Sequence, residues 1–106
     1  MSQQWWQILA NHLWRTYFVL VDTGTQNDTP VNQRKYSVCH KAYLNRSARD
    51  REIIRAYYTA KWGDSVYAVE DHSARTGIPT PVIYAVLAAA KRSVVEELGL
   101  IEPERR

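Results

Sequence analysis

The sequence predicts an all-α domain of five helices. Apolar residues recur at three- and four-residue steps through most of the chain, and no useful length alternates with period two. The periodic segments are separated by glycine, proline and short polar residues that start and stop helices. With 106 residues the chain suits one domain, residues 1–106, around one core.

The first helix is expected from Gln3 to about Leu20. Trp6, Leu9, Ala10, Leu13, Tyr17 and Leu20 share one face, and Trp14, Phe18 and Val21 form a second stripe that Trp5 and Ile8 widen. A helix apolar over so much of its circumference is either wrapped by the rest of its domain or shared with a second copy. A homodimer through this Trp-rich N-terminal helix (residues 1–21) is therefore one expectation.

Asp22 to Asp28 is polar and turn-rich, hence a loop. Thr29 then offers an N-cap and Pro30 a first helical position, so a second helix is expected from Pro30 to about Leu44 with Val31, Val38, Cys39, Ala42 and Tyr43 inward. Ser47 and Asp50 have the spacing of a capping box with Asp in place of Glu. They open a third helix, to about Lys61, that buries Ile53, Ile54, Tyr57 and Tyr58. Gly63 is expected to stop it, and Trp62 to plug the space between the third and fifth helices.

A short fourth helix, Val66 to Thr76, carries Val69 and takes its cap from Asp64 or Ser65. After Gly77, Thr80 and Pro81 supply a cap and a first-turn proline. The fifth helix, Pro81 to Leu98, aligns Ile83, Val86, Leu87, Ala90, Val94 and Leu98 as its core stripe. Gly99 ends it, and Leu100 is placed to fold back onto Val95 in a Schellman closure.

Composition excludes several function classes. No apolar run approaches the roughly 20 residues of a membrane span. The opening Met1-Ser2-Gln3-Gln4-Trp5-Trp6 lacks the charged-then-apolar order of a secretory signal. Cys39 is the only cysteine, which rules out an internal disulfide and a Cys-cluster zinc site and fits a reducing cytoplasm.

Residue placement also argues against catalysis. Cys39 and His40 are neighbours whose side chains diverge by about 100° on a helix, beyond hydrogen-bond reach of one another. His12, His40 and His72 show no ligand spacing. The pairs Glu70-Asp71 and Glu96-Glu97 point apart, so neither is an acid/base dyad. The four glycines are spread singly and form no phosphate-cradling loop. No enzyme, no metal and no cofactor is expected. The tryptophans suit core packing better than base stacking.

Charge is distributed unevenly. From Arg34 to Lys61 the chain carries eight basic residues (Arg34, Lys35, Lys41, Arg46, Arg49, Arg51, Arg55, Lys61) against Asp50 and Glu52, so the remainder of a chain of net charge +3 is acidic. A basic middle reads either as a phosphate-facing surface or as the solvated side of two helices.

The segment Ala74 to Leu87 combines a small residue, Ser73, just before it with Gly77 in a tight turn and with Ile78, Ile83 and Val86 as branched anchors. That is the grammar of a helix-turn-helix. With Arg51-Glu52-Ile53-Ile54 upstream and Glu97-Leu98-Gly99-Leu100 at the end, residues 47–100 resemble region 4 of sigma-70-type factors. More narrowly, they resemble small phage transcriptional regulators of the ArpU and RinA type. The resemblance implies a DNA-binding regulator with the fifth helix as recognition helix, and RNA polymerase as a further partner. Two features depart from the pattern: His72 and Thr76 stand where the family carries apolar anchors, and Thr80, Pro81, Tyr84, Ala85 and Ala88 stand where it presents Arg, Lys or Gln.

Three readings follow. The first is a regulator binding double-stranded DNA through Arg75, Thr80, Tyr84, Lys91 and Arg92, with Arg34, Lys35, Lys41, Arg46 and Arg49 adding phosphate contacts. The second is a helix-turn-helix that engages a protein partner such as polymerase. The third is a helical assembly protein that dimerises through its tryptophan helix.

Overall fold

The computed structural model describes residues 5–60 and 65–100, with side chains in the second stretch described from Tyr67 onward. Five helices follow in order: α1 (Trp5–Thr23), α2 (Pro30–Leu44), α3 (Ala48–Tyr58), α4 (Ser65–Thr76) and α5 (Thr80–Glu97). No strand occurs among the described residues, and no described helix is long and apolar enough to cross a membrane. The expectations for Gln3, Lys61, Trp62, Gly63 and Asp64 fall outside the described residues.

Local chemistry explains the helix boundaries. Thr29, in extended backbone, accepts from the Asn32 N–H at 3.0 Å ahead of Pro30. Ser47 accepts from the Asp50 N–H at 3.2 Å. The Asp50 carboxylate pairs with Arg49 at 3.1 Å, so a charge pair stands beside the Ser47 cap. At the other end, Gly99 takes φ +74° and the Leu100 N–H donates to the Val95 carbonyl at 3.3 Å, the predicted Schellman closure.

Two packing units share α5. In the first, α1 lies against α2, α3 and α5; in the second, α3, α4 and α5 pack pairwise on one another. Both stripes of α1 are used, because Ala10, Leu13, Tyr17 and Leu20 are buried together with Trp14 and Phe18. Between the two alternatives for α1, wrapping within the chain accounts for most of its apolar surface. Trp5, Ile8, Val19 and Val21 remain exposed.

Trp14, 1% exposed, anchors the core. Its ring stacks on Phe18 and Tyr58 with centroids 6.3 and 6.2 Å apart, and its Nε1–H donates to the Ala90 carbonyl at 3.1 Å. One aromatic side chain thus joins α1 to α3 and to α5. The α5 stripe Ile83, Val86, Leu87, Ala90, Val94 and Val95 closes the core from the other side.

Candidate nucleic-acid interface

The candidate site is built on the α4–α5 junction. The Thr76 hydroxyl donates to the His72 carbonyl at 2.7 Å and accepts from the Ile78 N–H at 3.3 Å. Gly77 donates its N–H to the Ser73 carbonyl at 2.8 Å and adopts φ +78°, a left-handed conformation that costs an L residue about 1–2 kcal/mol. Ile78 packs onto the core. Pro79, extended at φ −60° and ψ 142°, caps α5 without a side-chain bond, and its carbonyl accepts from the Val82 and Ile83 N–H groups at 3.0 and 3.2 Å. The helix therefore begins one residue before the expected start: Thr80 is helical, and the cap falls to Pro79, whose ring holds φ near the entry value.

This junction sets one side of α5 outward. Pro81, Tyr84, Ala85 and Ala88 are exposed, Tyr84 to 56%, while Ile83, Val86, Leu87 and Ala90 behind them are buried. Lys91 and Arg92, half-buried, continue the exposed side by three- and four-residue steps. Burial pushes the Lys91 ammonium pKa below its usual value. Arg92 Nε donates to Glu96 at 3.0 Å, one turn on. Arg75, on the last turn of α4, pairs with Asp71 at 3.0 Å across an exposed surface, where such pairs are worth only tenths of a kcal/mol up to about 1 kcal/mol.

The other sequence-predicted contacts lie elsewhere, so the basic middle segment is not one surface continuous with this side. Lys41 Nζ reaches Glu97 at 3.3 Å, and Lys35 Nζ stands 3.3 Å from His12 Nε2. Arg34 and Lys35 flank a groove of about 450 Å³ lined by Leu13, Pro30, Val31, Val38 and Leu98. Leu98 lies fourteen residues beyond Tyr84, about 21 Å along the axis at helical rise. Arg34, Lys35 and Lys41 thus belong to the far end of α5. Arg46 turns inward, bonding the Ala89 carbonyl at 3.2 Å and the Ser93 hydroxyl, so it braces the α2–α3 corner against α5. Arg49 stays beside Asp50 on the first turn of α3.

The remaining polar candidates are occupied by packing. Cys39 Sγ–H is directed at the Leu13 carbonyl, 3.5 Å away, while His40 Nδ1 meets the Tyr17 hydroxyl at 2.9 Å, so the two neighbours do diverge. His72, only 6% exposed, is more deeply buried than its polarity suggested, and its Nδ1 has no hydrogen-bond partner among the described residues. No group of three or more potential metal ligands occurs among the described residues. Sequence reasoning missed the groove, because it set Val31 inward; Val31 is 61% exposed at the groove's edge. Local apolar spacing assigns a residue to a face of its helix and does not tell which neighbouring element covers that face.

Comparison with known proteins finds no matching family model, no matching curated protein and no matching solved structure.

Proposed function

We propose that the chain is a DNA-binding transcriptional regulator that lays the N-terminal half of α5 in the major groove of a duplex. The observation that carries this reading is the outward side of α5, where Pro81, Tyr84, Ala85 and Ala88 stand free while α3 and α4 hold the helix from behind. The three-residue junction with Gly77 at positive φ supports it, since a recognition helix needs such a sharp entry from its predecessor. Charge supports it in part: Arg75, Lys91 and Arg92 lie between His72 and Val95 with no carboxylate among them, while Asp71 and Glu96 just outside pair with Arg75 and Arg92. The resemblance of residues 47–100 to sigma region 4 and to phage regulators points the same way.

The test is a fluorescence-polarisation titration of random-sequence duplex at two salt concentrations. Affinity falls steeply with salt, and replacing Lys91 and Arg92 by Ala weakens binding to all sequences and flattens the slope. Ala85→Glu with Ala88→Glu abolishes binding and leaves the melting curve in place, because exposed helical positions tolerate such changes to within about 0.5 kcal/mol. Salt-insensitive or absent binding would refute the proposal.

A second reading, a protein-interaction module, is favoured by the groove between α1, α2 and the end of α5. Its floor is apolar and its rim carries Arg34 and Lys35, which suits a partner segment of apolar residues flanked by carboxylates. Salt-resistant binding of such a peptide with no duplex binding would favour this alternative.

A further inference from the structure

We infer that the outward side of α5 reads thymine methyl groups, so that the preferred duplex is rich in A·T pairs and is selected through the C5-methyl rather than through hydrogen bonds to guanine. The inference rests on the DNA-binding reading above and names its target. The four exposed residues Pro81, Tyr84, Ala85 and Ala88 present carbon almost exclusively, with the Tyr84 hydroxyl as their single polar side-chain atom. Arg or Lys is the usual partner of guanine O6 and N7, Asn or Gln of adenine, and Glu or Asp of the cytosine amine. None of these residue types occupies the exposed side between Thr80 and Ala88. Apolar contact with the thymine methyl is the major-groove discrimination that the carbon surface of these four side chains supports.

Shape agrees with the chemistry. Alanine at 85 and 88 keeps the surface low beside the exposed Tyr84 ring, so small methyl groups and one aromatic ring face outward together. The span from Tyr84 to Ala88 is about 6 Å along the axis, close to two base steps of roughly 3.4 Å. In sequence, Arg75 precedes this stretch and Lys91 and Arg92 follow it; Arg75 pairs with Asp71 and Arg92 with Glu96, so each exchanges a carboxylate for a phosphate on binding. That arrangement supplies phosphate contacts on both flanks and leaves sequence selection to the apolar centre.

The test compares five duplexes of equal length by polarisation at one salt concentration: random sequence, a thymine-rich sequence, the same sequence with every dT replaced by dU, and a cytosine-rich sequence in unmethylated and in 5-methylated form. Uracil keeps the hydrogen-bonding edge of thymine and removes only the methyl. Each contacted methyl should be worth about three- to fourfold in affinity, the equivalent of burying one hydrocarbon group. The expected result is a loss of that size or its square on dU replacement, with the salt slope unchanged, and a gain on cytosine methylation. In a folded Ala88→Ser variant the dT/dU ratio should fall toward one. Equal affinity for the dT and dU duplexes, with duplex binding retained, would overturn methyl reading and leave the regulator reading standing. Failure to bind any of the five duplexes would overturn both.

Discussion

The indole Nε1–H of Trp14 donates to the carbonyl oxygen of Ala90 at 3.1 Å, linking α1 to the buried side of α5. Ala90 lies two residues beyond the exposed Ala88, about 200° round the helix, so the bond holds α5 from directly behind its free side. The same ring stacks on Tyr58 of α3. The helix proposed to meet DNA is thus positioned by a residue 76 positions away in sequence.

Trp14→Phe should cost about 2–3 kcal/mol. It removes the donor to Ala90 and leaves unfilled volume in a core where the ring is 1% exposed. Urea titration followed by far-UV circular dichroism measures the loss. A variant as stable as the parent would show that the bond and the ring contribute nothing to the core.

His72→Leu should stabilise the protein by about 1 kcal/mol. His72 is buried with Nδ1 unpartnered, and a buried unsatisfied polar atom costs about 1–3 kcal/mol. Leucine also supplies apolar volume at a position closed to solvent. A higher melting temperature is expected, and a lower one would mean that the imidazole has a partner essential to α4.

Gly77→Val should destabilise by about 2 kcal/mol or more. Nothing lies within 4 Å of a Cβ added there, so the cost comes from φ +78° alone, which a β-branched residue resists. Gly77→Ala is the milder control, at about 1 kcal/mol. A Gly77→Val protein that melts like the parent would contradict the reversal at this residue.

Stability should fall as the solution is made alkaline. Burial pushes the Cys39 thiol from 9.0 to about 12, and burial together with neighbouring Tyr36 and Tyr43 pushes Tyr17 from 10.0 to about 12. Burial raises Tyr58 in the same direction. Each folded pKa lies above its unfolded value, so the protonated forms stabilise the fold in full below about pH 9. That contribution is lost progressively as pH rises toward about 12. Lys91, whose pKa burial lowers, works in the opposite direction but is one group against three. Urea midpoints should therefore decline from pH 9 upward, and Cys39→Ala, less stable at neutral pH, should decline less between pH 9 and 10. Equal slopes in parent and variant would assign the decline to other groups.

Much of the fold was legible because the signals were local. Thr29 and Ser47 cap α2 and α3 as their side-chain chemistry requires, and the α5 stripe from Ile83 to Val94 follows from spacing alone. Helix ends drifted where tertiary packing decides them: α1 continues to Thr23, and α3 stops at Tyr58. The candidate site was only partly legible. The resemblance set Thr80, Pro81, Tyr84, Ala85 and Ala88 on the outward side of α5, and of these Thr80 alone is half-buried while the other four are exposed. It could not foresee that Arg46 would fold against Ala89 and Ser93, or that Arg34 and Lys35 would stand at the opposite end of α5. A cation's neighbours depend on how helices cross, and nothing in a run of basic residues encodes that.

The most direct measurement of the central claim is amide chemical-shift mapping of isotope-labelled protein titrated with a thymine-rich duplex. The account predicts that the largest perturbations cluster from Gly77 to Ala88 and at Lys91 and Arg92, while Val31, Arg34 and Leu98 stay in place. Perturbations confined to the exposed residues of α1 or to the Leu13–Leu98 groove, with the outward side of α5 unmoved, would contradict it.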